Sequence, residues 1–357
     1  MNHTSERPFL IDMIRTDVKD YNTRVQKASK HEEIPGSDPG KYLFQIHSAN
    51  HWMELEKNTP TAAMLFGELW YQDELCIMFA DTNMGKSILA VQIGNSLAGR
   101  EQIAPFGFEA PQCNVVYIDF ELSGSQFRAR YTHNDIAYNF NKSFYRAGYN
   151  PAAAIPPEFK NHNEYMNSAI EYAVKQTGAD VLIIDNITCL RSGTEYASEA
   201  FSLMQHLKAL KTKYKLSILV LAHTPKRNPS KPITRNDLQG SKMLINFCDS
   251  AFAIGESHRQ KGLRYIKQIK QRATQEVYGH DNICLFRITK PINFLKYEFV
   301  AFGQEHTHLY HAGMHNKEML LKQILELAAQ DLSQRQISAK LNISLGMVNK
   351  YLNSTKE

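Results

Sequence analysis

The sequence of 357 residues is poor in several things that would have defined its class at once. Its five cysteines, Cys76, Cys113, Cys189, Cys248 and Cys284, stand singly, with no CxxC pair and no histidine at zinc-ligand spacing. An odd, dispersed set excludes a disulfide framework and a structural zinc site. Glycine (18) and proline (13) are too few for extensive low-complexity linkers or a collagen-like repeat. No apolar run approaches the length that crosses a bilayer, and the first twenty residues carry no apolar signal core. The expectation is a cytoplasmic chain with no membrane partner. Charge of one sign is also scarce: Lys+Arg is 41 against Asp+Glu 36, a net +5. That balance permits a nucleic-acid partner without requiring one.

What is present falls into three segments. Residues 1–60 are polar and broken by Pro35, Gly36, Pro39 and Gly40, which predicts an irregular N-terminal extension with short helices. Residues 61–312 alternate short apolar runs with helical patterns, the signature of an α/β fold. Residues 313–357 read as helical throughout. In the middle segment, 74–79, 114–118, 181–184 and 216–222 are β-branched and almost continuously apolar, as strands buried on both faces are. A further strand is expected near 250–254. Runs at 263–269 and 283–288 alternate more, which predicts edge or antiparallel strands.

Ala80-Asp81-Thr82-Asn83-Met84-Gly85-Lys86-Ser87 carries the P-loop pattern, with alanine at the first glycine position. It follows an expected strand and opens an expected helix at Ile88. Backbone N–H groups of such a loop cradle phosphate oxygens, and the helix N-terminus adds positive potential. Lys86 would reach the β and γ oxygens and the Ser87 hydroxyl would sit on Mg²⁺, so the expected ligands are ATP and Mg²⁺. A carboxylate should end a nearby strand, and Asp185 does so after Val181 to Ile184. The next residue is Asn186 and not Glu, so a hydrolytic base must come from elsewhere. Glu121, just past the second strand, is the candidate, with Asp119 as its competitor. His223 ends the fourth strand, where a polar residue can sense the γ-phosphate and couple it to the loop that follows.

These residues, in this order on strand ends, resemble RecA-like ATPases. The subgroup looks like the hexameric plasmid replicative helicases of the RepA kind, with relatives of the DnaB, RadA and KaiC types. The resemblance spans residues 61–302. It implies a RecA-type core with a mostly parallel sheet, in which the strand before Glu121 neighbours the P-loop strand. It also implies Lys86 and Ser87 as phosphate and metal ligands, Glu121 as general base and Asp185 as the metal-holding acid. Such proteins form rings, usually homo-hexamers, with nucleotide between subunits. A Lys-x-Arg pair there reaches the neighbour's γ-phosphate, and Lys270 with Arg272 fits it.

The stretch 224–242 holds Lys226, Arg227, Lys231, Arg235 and Lys242 against one acid, Asp237, and three prolines, so it reads as a flexible basic loop. In RecA-like rings this loop faces nucleic acid, and its composition suits phosphate contacts, although it has no aromatic for stacking. At the C-terminus, Ser333 should cap a helix holding Ile337 and Leu341, and a turn at Asn342 to Ser344 leads to a second helix over 345–352. That spacing matches a helix-turn-helix, with Lys350 facing outward. The reading is a ring-forming DNA helicase or DNA-remodelling ATPase. Its alternatives are a filament-forming recombination or repair ATPase and a nucleotide-switched DNA-binding regulator.

Overall fold

The structure is a computed structural model describing residues 44–190, 197–240, 242–310 and 312–353, with side chains described except at 312–319. The short helices expected within 1–43, with Pro35, Gly36, Pro39 and Gly40, lie outside the described residues. The chain divides into two compact units, 1–61 and 62–357. In the first, helix α1 (Ala49–Leu55) starts at Ser48, whose hydroxyl accepts from the His51 N–H. None of its residues is buried, and Phe44, Ile46, Met53 and Leu55 are exposed.

In the second unit, the apolar runs become strands that end one residue later than their sequence bounds. They are β1 (Leu75–Ala80), β2 (Val115–Asp119), β6 (Val181–Asp185) and β7 (Ser217–His223). The shift places Ala80, Asp119, Asp185 and His223 as the last residue of each strand. Three strands had no clear sequence signal before these ends: β3 (Thr132–His133), β4 (Ile136–Ala137) and β5 (Phe144–Gly148). β8 (Ser250–Glu256), β9 (Leu263–Lys270), β10 (Ile283–Thr289) and β11 (Lys296–Gly303) complete the set.

Among the described residues, nine strands form one sheet in the order β11-β10-β9-β8-β1-β7-β6-β2-β5. β8 to β5 in this order are parallel, and β9, β10 and β11 add an antiparallel edge. One expectation is corrected here. β2 does not neighbour β1, because β7 and β6 lie between them. Pairing order depends on where the crossover helices return the chain, which local sequence does not encode.

Side-chain alternation explains the layers. Leu75, Ile77 and Phe79 face one core with Ile170, Val174, Leu203 and Leu207, from helices α4 (His162–Thr177) and α5 (Ala197–Tyr214). Cys76, Met78 and Ala80 face the other core with Leu89, Ile93 and Leu97 of α2 (Lys86–Gly99). β1 is therefore covered on both sides, as its continuous apolar run requires. Four cysteines are buried as small core residues, whereas Cys189 is exposed. Helix α3 (Gly124–Arg130) follows β2 in the chain and α6 (Lys242–Phe247) precedes β8.

The last helices are α7 (Ala312–Ala328), α8 (Gln334–Leu341) and α9 (Leu345–Asn353). Ser333 and Gln336 form a reciprocal cap at α8, and Asn342 ends it in the left-handed conformation. Ile324, Leu327, Ile337 and Val348 make a small separate core. Among the described residues no helix is long and apolar enough to cross a membrane.

Candidate functional site

Parallel pairing aligns the carboxyl ends of β1, β7, β6 and β2 along one edge, with Ala80 opposite His223 and Asp119 opposite Asp185. Ligands of open α/β sheets bind beyond that edge. Here lies a cleft of about 400 Å³ lined by Thr82, Asn83, Gly85, Lys86, Ser87, Ile88, Glu121, Arg130 and His223. Of the expected loop residues, Ala80, Asp81 and Met84 do not line it. Ala80 is a core side chain whose carbonyl accepts from Lys86 Nζ at 3.0 Å. The Asp81 carboxylate accepts from the Thr82 N–H at 2.7 Å and so shapes the loop from within. The Met84 carbonyl accepts from the Tyr297 hydroxyl.

The loop needs its glycine at one position. Gly85 has φ +89°, and a Cβ there would lie 2.7 Å from Ile288 Cδ1 and 2.9 Å from the Tyr297 hydroxyl. Asn83 also takes a positive φ, 61°, which asparagine tolerates. Lys86 follows as the first residue of α2 and is buried. Its ammonium donates to the Ala80 and Asp81 carbonyls, both at 3.0 Å, and lies 3.1 Å from His223 Nδ1. Burial lowers its pKa, while the charges of Asp185, Glu121 and Asp81 oppose that shift.

Asp185 sits beneath the cleft. Its Oδ2 accepts from the Tyr117 hydroxyl at 2.7 Å, and its Oδ1 is buried without a hydrogen-bond partner. Burial pushes its carboxyl up to about 6, with the neighbouring Ser87 and Tyr117 hydroxyls working the other way. An orphaned buried carboxylate oxygen beside a P-loop serine is a donor set that fits Mg²⁺. Among the described residues no group of three or more His, Cys, Asp or Glu could hold a metal unaided. Mg²⁺ suits such a site because it keeps waters and shares substrate phosphates.

The geometry separates the two competing carboxylates. Asp119 is 1 % exposed. Its Oδ1 accepts from the Glu121 and Leu122 N–H groups at 3.0 and 2.9 Å, and its Oδ2 accepts from Arg146 Nε at 2.9 Å. Its acceptor capacity is committed to protein donors. Glu121 instead lines the cleft. One of its oxygens accepts from Asn186 Nδ2 and lies 3.7 Å from His223 Nε2. The nearby His223 imidazole, with Asn186 and Lys86, holds its carboxyl below the usual range, against a contrary effect of burial.

Sequence reasoning missed two members of this cluster. The sequence marks Asn186 only as a position without glutamate, yet its Nδ2 bridges Glu121 and His223, at 3.1 Å from the latter. Its Oδ1 accepts from the Thr188 N–H at 3.0 Å, which fixes which end of the amide faces the cleft. Arg130 also lines the cleft. Arg128 and Arg130 both end α3, and only the packing of that helix decides which one turns inward.

The remaining candidates lie elsewhere. Lys270 pairs with Ala251 at the start of β8, so it and Arg272 sit at the opposite, amino edge of the sheet. Lys270 Nζ donates to the carbonyls of Ile245, Asn246 and Cys248, at 2.7, 3.0 and 2.7 Å, and so caps α6. Arg272 donates to the Asn246 carbonyl at 3.2 Å and lies 3.4 Å from Asp249. Neither can reach the cleft of its own chain.

The stretch 224–242, in which Ser241 lies outside the described residues, is anchored near its middle. A short 3-10 turn forms at Arg235–Asp237, capped by Thr234. The Ile233 N–H donates to Glu305 Oε1 at 2.7 Å and its carbonyl accepts from Lys267 Nζ at 2.8 Å. Lys267 and Glu305 form a buried ion pair, Glu305 being 0 % exposed. Lys226, Lys231 and Arg235 stay exposed, as does Lys350 on α9. Arg227 turns inward, 3.7 Å from Asp237, and donates to the Lys231 carbonyl, so it serves the fold of the loop itself. At the loop's ends, the Thr224 N–H donates to the Ala80 carbonyl and the Gln239 N–H to the His223 carbonyl, at 3.1 and 2.9 Å.

Comparison with known proteins adds a family. The model of the AAA domain family matches residues 46–229. No curated protein matches the chain. Among solved structures, a KaiC-like protein from the hyperthermophilic archaeon Pyrococcus horikoshii OT3 is similar at 12% identity. That likeness covers 64% of this chain and 90% of the other, with a TM-score of 0.44.

Proposed function

This chain belongs to the AAA domain family, and on that premise we propose that it is a RecA-like P-loop ATPase that hydrolyses ATP with Mg²⁺ and acts on DNA. The observation that carries the reading is the meeting of Lys86, Ser87, Glu121 and His223 in one cleft above Asp185. Lys86, Arg130 and the N–H groups at the start of α2 bind phosphate oxygens. Ser87 and Asp185 would hold Mg²⁺, which when bound neutralises charge on the β and γ oxygens. Asn186 engages one oxygen of Glu121, and the other accepts a proton of the attacking water. His223 touches Lys86 through one ring nitrogen and Asn186 through the other. A change at the γ-phosphate position is thereby felt at the strand end from which the basic loop departs.

The finer reading is a homo-oligomeric ring, hexameric in the manner of RepA-type plasmid helicases. Arg272 of one copy, with Lys270 behind it, completes the cleft of the next. Its position at the sheet edge opposite its own cleft favours such a role in trans. Lys226, Lys231 and Arg235 face the DNA backbone, held outward by the anchoring of Ile233. In this reading the chain has three domains, at 1–60, 61–312 and 313–357, the last a helix-turn-helix-like module with Lys350 toward DNA or protein. The separate core of α7, α8 and α9 favours a second reading, a DNA-binding regulator switched by nucleotide.

ATP turnover measured alone and with single- or double-stranded DNA tests these readings. Stimulation by DNA supports the motor. Nucleotide binding without turnover in any condition would leave the regulator standing and remove the enzyme.

A further inference from the structure

Glu121 is not on a regular element. It lies in the turn between β2 and α3, where its backbone alone would not hold a carboxylate to within the tolerance that catalysis demands. The turn is instead clamped from the neighbouring edge strand. Arg146 of β5 donates through Nε to Asp119 Oδ2 at 2.9 Å, and its Nη2 lies 2.9 Å from the same oxygen. Nη2 also donates to the Leu122 carbonyl. Asp119, gripped this way, accepts the Glu121 and Leu122 N–H groups. One guanidinium thus holds the residues on both sides of Glu121. Its position is fixed in turn by the Phe127 ring of α3, 4.8 Å from its centre. The Phe120 N–H donates to the Asp185 carbonyl at 3.0 Å and the Tyr149 N–H to the Asp119 carbonyl at 3.1 Å, which ties the same turn to both flanking strands. Arg146 does not line the cleft, so it touches neither nucleotide nor water there.

We propose that Arg146 is a positioning residue for hydrolysis: with Asp119 it sets the aim of the Glu121 carboxylate while taking no part in nucleotide binding. The inference rests on the ATPase reading and names a residue that reading does not contain. The guanidinium is needed for its fork, because Asp119 and the Leu122 carbonyl are met by separate N–H groups in one plane, which an ammonium cannot reproduce.

The test uses the full chain and three forms: wild type, Arg146→Met and Arg146→Lys. Turnover, affinity for a fluorescent ATP analogue and the thermal midpoint are measured for each. A misaimed base should lower kcat by about tenfold to a hundredfold in Arg146→Met, with nucleotide affinity within about twofold of wild type. Arg146→Lys, which keeps charge and stem, should fall between the two. If kcat stays within twofold in both variants, the proposal is wrong. It is equally overturned if nucleotide affinity falls in step with kcat, because the residue is then only structural. Where Arg146→Met does not fold, the same thresholds are applied to Arg146→Lys. A wild-type chain that binds the analogue but never turns over ATP removes the ATPase reading and this inference with it, an outcome distinct from normal wild-type turnover and unaffected variants.

Discussion

The two edges of the central sheet each hold a carbonyl-bonded lysine, buried at Lys86 and half-buried at Lys270, and the two do different things. At the carboxyl edge, Lys86 donates to two loop carbonyls and meets His223, in a cleft open to a ligand. At the amino edge, Lys270 donates to three carbonyls at the end of α6, and its charge is consumed in closing a helix. Burial lowers the pKa of both. What differs is the surroundings. Lys86 stands among Asp185, Glu121 and Asp81, whereas Lys270 stands beside Arg272 and Asp249 and under a helix C-terminus that a cation stabilises. A lysine in a motif position is therefore read by what its ammonium can exchange. Beside an open cleft the ammonium can turn from loop carbonyls to phosphate oxygens, whereas at the helix end it stays with the carbonyls, of which that of Asn246 also accepts from Arg272.

The largest effect should come from Lys86→Ala, which should bring ATP turnover below detection with little change in thermal midpoint. A wild-type rate would break the contrast at its stronger end. Next is Arg272→Ala, expected to slow turnover by about a thousandfold if its guanidinium serves a neighbour's cleft. Mixing it with Lys86→Ala protein should then restore part of the activity, because sites with both groups intact form between copies. Proven mixed oligomers with no recovery would confine the amino edge to a structural role. Glu121→Gln should cost about a hundredfold or more in turnover while keeping nucleotide affinity. An unchanged rate would mean that Asp119, despite its committed oxygens, carries the chemistry. The smallest is a stability effect. Lys270→Met should lower unfolding free energy by about 1–3 kcal/mol, since it takes this donor from the Ile245 and Cys248 carbonyls. Denaturant unfolding measures this, and a variant as stable as wild type would show that the cap is dispensable.

Much of the carboxyl edge was legible in the sequence. The run from Ala80 to Ser87 carries its chemistry in contiguous residues, and strands buried on both faces announce themselves as unbroken apolar runs ending at Asp119, Asp185 and His223. β5 was not legible. Of Phe144 to Gly148 only Phe144 is buried, because an edge strand is covered less fully, so the apolar signal is too short. Arg146 was hidden with it. Asn186 and Arg130 were visible as residues, but nothing in their neighbours indicated that they face the same cleft as Glu121. The basic stretch 224–242 was legible in its charge but not in its anchoring, since Lys267 and Glu305 come from 34 and 72 residues beyond Ile233.

By itself the sequence determined which chemistry could be assembled: a phosphate-binding loop, one acid at a buried strand end, a second acid past another, and a concentration of positive charge after a third. These are local properties, set by residue type, short spacing and the covering of each strand. Only the tertiary structure decided how the pieces divide. It placed β7 and β6 between β1 and β2, committed Asp119 to its own turn, left Glu121 facing the cleft and turned Arg227 inward. It also put Lys270 and Arg272 at the far edge. Apart from the inward turn of Arg227, which its own loop makes, those outcomes depend on the order of strands and the return of helices, where hydrogen bonds such as Arg146 to Asp119 and Asn186 to Glu121 join residues separated by dozens of positions, and no local pattern carries that information.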